Sequence, residues 1–251
     1  MKIVVIGGTG LIGSKVVSKL RQKGHEAIAA APSTGVNTIT GEGLAETFQQ
    51  TDIVVDLSNS PDFEEKAATA FFETATKNLL AAETNASVKH HVILSVVGTE
   101  RLNSYGYFKA KQRQEDLVKD GNIPYTIIHS TQFMEFLPSI TSTTAEDGTV
   151  HLSTGNIQPI AAEDVASFVV DILLEGPTNR IVEIGGPQKF SMAVLGERYM
   201  ESRGDERLVT GDENALYFGY KLEPDTLIPS VGARLAKLTV DEWLDQQLQK
   251  A

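Results

Sequence analysis

The stretch Lys2-Ile3-Val4-Val5-Ile6-Gly7-Gly8-Thr9-Gly10-Leu11-Ile12-Gly13 constrains this chain more than any other, because it reads as strand, tight turn and helix start within twelve residues. Four apolar β-formers in succession suit a parallel strand buried on both faces. The glycines fit two overlapping spacings, GxGxxG from Gly8 and GxxGxxG from Gly7, and both end at Gly13. Gly7 and Gly8 can adopt turn conformations that a Cβ forbids, Gly10 lets a pyrophosphate approach the backbone, and Gly13 lets the next helix lie close to the strand. That helix is expected over 14–23, with Val16, Val17 and Leu20 on one stripe and Gly24 just past its end. Its first turn presents unpaired N–H groups to an anion. The pattern predicts a dinucleotide-binding unit.

At 251 residues and 41% hydrophobic content, the chain can bury a core large enough for one α/β domain and a modest appendage. A formal charge of −11 argues against nucleic acid or an anionic membrane as partner, since both would repel it. The absence of cysteine excludes disulfides, zinc–thiolate sites and thiol nucleophiles, and is compatible with a reducing compartment. A strand beginning at residue two leaves no room for a signal peptide, and no apolar run reaches membrane-spanning length. The expectation is a soluble cytoplasmic protein acting on a small molecule.

A second parallel strand is expected over 25–31, ending in Pro32-Ser33-Thr34-Gly35, where the adenosine ribose lies in such a unit. An acidic residue there would bond the 2′-hydroxyl of NAD and repel the 2′-phosphate of NADP. None is present; Ser33 and Thr34 offer hydroxyls to a phosphate, without an arginine beside them. NADP is the favoured cofactor, with NAD left open. A short third strand is expected over 36–40, a helix over 42–50, and a fourth strand over 52–57 that runs into Ser58-Asn59-Ser60-Pro61. Ligands of a doubly wound sheet lie beyond the carboxyl ends of its strands, so Ser58 and Asn59 border the cofactor or act simply as turn formers.

An alanine-rich helix over 63–83 and a strand over 90–97 follow, then a sixth strand over 125–129. Thr131, Gln132 and Phe133, just past that strand, face the expected nicotinamide and substrate. Phe133, Met134, Phe136 and Leu137 either wall a substrate pocket or belong to the core. The five histidines are scattered without metal-ligand spacing, so each is read as structural and no metal is expected. Beyond 145–148 the strand–helix rhythm loosens. The chain is therefore divided into a dinucleotide-binding part, 1–148, and a smaller C-terminal α+β substrate region, 149–251. The latter is expected to hold short strands at 149–152, 157–160 and 181–184, an amphipathic helix over 162–174, a helix capped by Ser191, and a last helix over 240–248.

Two Tyr-x-x-x-Lys pairs overlap in Tyr105-Gly106-Tyr107-Phe108-Lys109-Ala110-Lys111, downstream of Ser95-Val96-Val97-Gly98. Residues two apart on a helix differ by about 200° in direction, so only one pair can face a cofactor. Steps of three and four from Tyr107 reach Lys111, Gln114, Leu117 and Val118; from Tyr105 they reach Lys109, Gln112, Arg113 and Asp116. The first stripe is the inward one. A tyrosine with its ordinary pKa of about 10 matches neutral proton transfer poorly, and a nearby ammonium lowers that pKa by stabilising the phenolate. Lys111 is the candidate for this and for a bond to the nicotinamide ribose. Ser95 is the candidate for holding the substrate oxygen, and Tyr107 for delivering a proton as hydride arrives.

With these features the chain resembles the short-chain dehydrogenase/reductase superfamily, and within it the atypical, NmrA-like NAD(P)H-binding branch. The resemblance rests on Gly7 to Gly13, His91 to Gly98, Gly106 to Gln114, Thr131-Gln132-Phe133, Pro159 to Ala166 and Tyr217-Phe218-Gly219. It implies a Rossmann-like, doubly wound parallel α/β sheet. It further implies that Gly7, Thr9, Gly10, Leu11 and Ile12 hold the pyrophosphate, Ser33 and Thr34 the 2′-phosphate and Lys111 the ribose, with Tyr107 as catalytic acid. The arginine that NADP-binding relatives commonly carry after the second strand is absent here. The expected function is NAD(P)H-dependent reduction of a small carbonyl, enone or quinone. The alternative is a non-catalytic NADP(H)-binding redox sensor acting through a partner protein, since the branch contains both.

Overall fold

The computed structural model describes residues 1–142 and 148–249. The first half runs β1 (Lys2–Ile6), α1 (Leu11–Gln22), β2 (Glu26–Ala30), α2 (Leu44–Thr47), β3 (Ile53–Asp56), α3 (Glu65–Ala86), β4 (His90–Val96), α4 (Gly106–Lys119) and β5 (Tyr125–Ser130). Then come α5 (Leu137–Ile140), β6 (Val150–Ser153), β7 (Asn156–Ile157), α6 (Ala162–Glu175), β8 (Ile181–Gly185), β9 (Phe190–Ser191), α7 (Met192–Ser202), β10 (Val209–Asp212), β11 (Arg234–Leu235) and α8 (Val240–Leu248). Seven strands form a Rossmann-like parallel sheet in the order β11-β8-β5-β4-β3-β1-β2, the doubly wound α/β fold that the sequence predicts.

β1 occupies an interior position because Ile3, Val4, Val5 and Ile6 are all apolar, and all four are buried. It pairs with β2, Ile3 beside Ala27, and with β3, Ile3 beside Ile53. The chain leaves β1 for β2, returns past β1 to β3, and continues outward through β4 and β5. Strand order therefore reverses between β1 and β3, and a doubly wound sheet binds its ligand in the crevice at that reversal. Below it, Val4, Ile6, Ala30, Val36, Leu44, Phe48, Val54 and Leu79 make one apolar cluster, and Ile93, Val118 and Ile127 another.

Two compact units divide the chain: Met1–His129 with Val165–Val182, and Ser130–Asp164 with Glu183–Ala251. They are cut differently from the single boundary expected between 148 and 149, and residues 145–147 of that boundary lie outside the described residues. The first unit takes back 165–182 because Asp171 lies 3.8 Å from Lys23 of α1 and Leu173 hydrogen-bonds His90 of β4. In the second unit β6 pairs in parallel with β10, β7 pairs antiparallel with β9, and Ile157, Ile160, Leu195 and Trp243 are buried. Ser191 stands at the N-terminus of α7 but makes no side-chain cap bond. Among the described residues, no helix is long and apolar enough to cross a membrane.

The strand expected over 36–40 does not form. Val36 enters the core, but the Asn37 side chain accepts from the N–H groups of Ile39 and Thr40 at 2.9 and 3.3 Å and closes a turn. Asn78 of α3 then donates to the Thr38 and Ile39 carbonyls at 2.8 and 3.0 Å. Satisfied by side chains, this backbone has no need of a ladder. β3 is thus the third strand and β5 the fifth, where the sequence suggested fourth and sixth, and the helix expected over 42–50 is reduced to α2.

The turn after β1 leaves no room for side chains. A Cβ on Gly13 would lie 2.1 Å from the Gly7 carbonyl oxygen. Gly13→Ala is therefore expected to lower stability by about 1–3 kcal/mol. Gly24 has a left-handed φ of +82° but open space around its Cβ position, so Gly24→Ala should cost only about 1 kcal/mol. Urea unfolding of both variants checks this; equal losses would mean the turn yields without strain.

Candidate functional site

Of the two glycines expected to need special backbone angles, only Gly7 has a positive φ, +69°. Gly8 is required by crowding instead: its Cβ would sit 2.7 Å from the Ala29 Cα on β2. A Cβ on Gly7 would meet the Leu57 carbonyl oxygen at 2.9 Å and the Ser58 nitrogen at 3.0 Å. The glycine turn thus rests directly on the chain leaving β3. Gly10 begins α1 with no side-chain cap, and its N–H donates to the Gly7 carbonyl at 2.9 Å. Thr9 and Leu11 are exposed at the start of α1, whereas the Ile12 side chain turns into the core. An uncapped helix start beside backbone that admits no Cβ fits a pyrophosphate.

After β2, Ser33 is exposed, but the Thr34 hydroxyl is held within its own turn. It accepts from the Ala31 N–H at 2.9 Å and lies 3.0 Å from the Ala29 carbonyl and 2.9 Å from that of Ala31. Its proton is already committed. After β3, the Ser58 hydroxyl donates to Asp56 at 2.6 Å, and the Asn59 Oδ1 accepts from the Ser60 N–H at 2.9 Å.

Helix α4 has the register that the three-and-four spacing predicts. Lys111, Gln114 and Val118 are buried, while Tyr105, Lys109 and Arg113 are exposed. Tyr107 is half-buried, its ring edge-on to Phe63 and Phe72 at 5.2 and 5.9 Å, and its hydroxyl donates to Asn59 Oδ1 at 2.9 Å. Lys111 Nζ donates to the Leu94 carbonyl at 2.9 Å and to Gln114 Oε1, and lies 4.6 Å from the centre of the Phe72 ring. Burial lowers its pKa to about 8, against the pull of Asp56 and Glu115. Two of its three N–H donors have these acceptors, so one remains for a ligand.

Ser95 is drawn elsewhere. It faces α4 rather than the strand tip, and its hydroxyl donates to Glu115 Oε1 at 2.6 Å; the same oxygen is 2.8 Å from His129 Nε2. Burial pushes the Glu115 carboxyl up, but the bonds from His129 and Ser95 and the Lys119 charge outweigh it and hold the pKa at about 2. Sequence reasoning passed over Glu115, although it stands four residues after Lys111 on the inward stripe. It also gave no role to Asp56 and read His129 as structural.

Thr131, Gln132 and Phe133 belong to the second unit. Phe133 bridges to Ile160 and stacks on Phe136 at 5.5 Å. Gln132 is buried, and neither its amide oxygen nor its amide nitrogen has a hydrogen-bond partner; the buried Thr131 hydroxyl also lacks one.

A parallel sheet whose order reverses beside a glycine turn, with an uncapped helix start above it, defines a Rossmann-fold nucleotide-binding protein. The chain belongs to the NAD(P)H-binding family, whose model matches residues 7–176, and it has homologues in the atypical short-chain dehydrogenase/reductase, NmrA-like group. It is similar to the chloroplastic divinyl chlorophyllide a 8-vinyl-reductase of Cucumis sativus, at 27% identity over 74% of this chain and 53% of that protein. It is also similar to the photosystem II assembly factor Ycf39 of Synechocystis, at 24% identity over 79% of this chain and 63% of that one. The chain thus spans between half and two-thirds of the length of these relatives. Among solved structures, the Bordetella bronchiseptica enzyme WbmG in complex with NAD and UDP shares the fold, with a TM-score of 0.74 over 99% of this chain and 94% of that one at 14% identity.

The Glu115 cluster has a measurable pH signature. Because the folded-state pKa is about 2 against an ordinary 4.5, its stabilising contribution is full above pH 4.5 and is lost as pH falls toward 2. Glu115→Gln should flatten the acid limb of the melting temperature against pH in that window. An unchanged limb would mean that the carboxylate is not held ionised by His129 and Ser95.

Proposed function

We propose that this chain reduces a small carbonyl, enone or quinone with NAD(P)H, NADPH preferred, and that Tyr107 delivers the proton. The carrying observation is the Tyr107 hydroxyl, which donates to Asn59 on the loop leaving β3, beside the glycine turn, with Lys111 one helical turn further along the same stripe. NAD(P)H, when bound, would supply the hydride for this reduction. Gly7, Thr9, Gly10, Leu11 and Ile12 hold the pyrophosphate through the N-terminus of α1, and Ser58 and Asn59 border the cofactor. Ser33 reaches the 2′-phosphate; Thr34, expected to share that role, has its hydroxyl proton on the Ala29 and Ala31 carbonyls and offers the phosphate no donor, so it is reassigned to shaping the turn. Lys111 gives its remaining N–H to the ribose and stabilises the Tyr107 phenolate. Tyr107 hands its proton to the substrate oxygen, so a carbonyl leaves as an alcohol. Gln132 and Thr131, with unpartnered polar atoms, and the Phe133 ring are assigned to the substrate. Ser95 is reassigned from holding the substrate oxygen to positioning, because its only proton goes to Glu115.

One observation favours a second reading. The hydroxyl protons of both Tyr107 and Ser95 are directed to acceptors within the protein. That suits a protein that binds NADP(H) and reports its redox state to a partner. The glycine turn serves either role.

Fluorescence titration should give tighter binding of NADPH than of NADH, because no acidic residue follows β2; equal or reversed affinities refute the preference. Gly10→Val should abolish binding of both while the protein stays folded. Tyr107→Phe keeps the ring packing and cofactor affinity, but carbonyl reduction should fall about 10²–10⁴-fold, whereas Tyr105→Phe should do little. Intact carbonyl turnover in Tyr107→Phe would remove the tyrosine from the mechanism. Saturable NADPH binding without oxidation over a carbonyl and quinone panel would decide for the sensor.

A further inference from the structure

Asp56 closes β3 and is buried, and no step above uses it. Its carboxylate faces two ways. Oδ1 accepts from the Ser58 N–H at 2.9 Å and the Ser58 hydroxyl at 2.6 Å, while Oδ2 accepts from Gln114 Nε2 at 3.0 Å. Gln114 presents its other end, Oε1, to Lys111 Nζ. Lysine can only donate and a carboxylate only accept, so the Gln114 amide between them has one possible orientation. On the other side, Ser58 precedes Asn59, which holds the Tyr107 hydroxyl. One oxygen is thus tied to the loop that holds Tyr107, and the other to the residue that holds Lys111.

We propose that Asp56 is a positioning residue that orients Lys111 through Gln114 and Tyr107 through the Ser58–Asn59 turn. This rests on the roles given to Tyr107 and Lys111 above. Burying a carboxylate is costly unless donors surround it, and packing alone would be served by an apolar side chain. Around Lys111 stand two carboxylates, Asp56 from β3 and Glu115 from α4, with the Leu94 carbonyl from β4 and the Phe72 ring from α3. Removing the Asp56 charge therefore leaves the buried ammonium with less support.

Asp56→Asn is isosteric but changes what the site can accept. With its oxygen kept on the two Ser58 donors, its NH₂ meets Gln114 Nε2, donor against donor. Gln114 relieves this by turning over, which sets its own NH₂ against the Lys111 ammonium and breaks that bond. Combining Asp56→Asn with Gln114→Glu restores an acceptor for both neighbours and moves the negative charge one link along. Gln114→Met cuts the same link from the helix side while leaving Asp56 on Ser58.

The test is NADPH fluorescence titration from about pH 6 to about pH 9 on the wild type, these variants and Lys111→Met, with circular dichroism to confirm folding. Asp56→Asn and Gln114→Met should each weaken NADPH about 10–100-fold, the range for losing a hydrogen bond to a charged group. Both should also move the loss of affinity at rising pH to lower pH than in the wild type, because the Lys111 ammonium, whose pKa burial already lowers to about 8, loses support. The Asp56→Asn/Gln114→Glu protein should recover affinity and midpoint together, which lost packing alone would not produce. Wild-type behaviour in Gln114→Met, or a folded double variant with the affinity and midpoint of Asp56→Asn, overturns the proposal. Lys111→Met separates the two levels. If it binds NADPH like the wild type, the assignment of Lys111 fails and the role of Asp56 with it; if it binds weakly while Asp56→Asn does not, only the role of Asp56 fails.

Discussion

Three backbone segments meet at the end of β1 with no space for a side chain between them. Gly13 lies against the Gly7 carbonyl, and Gly7 lies against the peptide joining Leu57 to Ser58. This contact fixes where α1 begins and where the chain leaves β3, so the helix N-terminus and the Ser58–Asn59 loop flank the strand-order reversal together. Without it α1 would stand off the sheet, and the crevice would lose the wall that Asn59 and Tyr107 share. A Cβ at either glycine would wedge these segments apart, which is why the motif is a packing requirement before it is a binding one.

The first unit buries the carboxylates of Asp56, Glu83 and Glu115, and each has a partner. Asp56 meets Ser58 and Gln114, Glu115 meets Ser95, His129 and Lys119, and Glu83 meets His91 at 2.8 Å. Unpaired, any of them would cost several kcal/mol, about 3–5, so the sheet and helices must close in one arrangement. Adjacent residues on β4 show how locally this is set. Burial would lower His91, but the Glu83 carboxylate outweighs it and raises the pKa; His90, facing the other way with Thr126, has no such carboxylate and is pushed down to about 4.

What the sequence makes legible is what one element decides alone. The β1–turn–α1 unit is readable because strand periodicity, glycine spacing and helix periodicity follow one another without interruption. The register of α4 is readable because stepping by three and four from Tyr107 lands on Lys111, Gln114 and Val118, which are buried, and on the half-buried Leu117. The same stepping reaches Glu115, but a glutamate on an inward stripe looks like a surface residue until Ser95 and His129 are brought to it from β4 and β5. The segment 36–40 fails for a related reason: its β-branched residues suit a strand, and competing bonds come from Asn78, forty residues away from Thr38. The return of 165–182 to the first unit likewise depends on contacts with α1 and β4.

Whether such a site turns over or only senses depends on which hydroxyl protons can leave their present acceptors, since the fold itself hosts both kinds of protein. The Tyr107 bond to Asn59 joins two neutral groups at the edge of the crevice, and a bond of that kind contributes a net of about 0.5–1.5 kcal/mol. Giving up that one bond costs about a factor of ten in the reacting population, and Asn59 keeps its bond from Ser60. The Ser95 bond goes to a buried carboxylate, where hydrogen bonds are worth about 1.5–3 kcal/mol and the abandoned oxygen cannot reach water. Of these two bonds, the one from Ser95 to Glu115 therefore holds its proton more firmly than the one from Tyr107 to Asn59. The inequality favours a catalytic reading in which the tyrosine carries the proton and the serine, with Glu115 and His129, keeps the strand and helix in register.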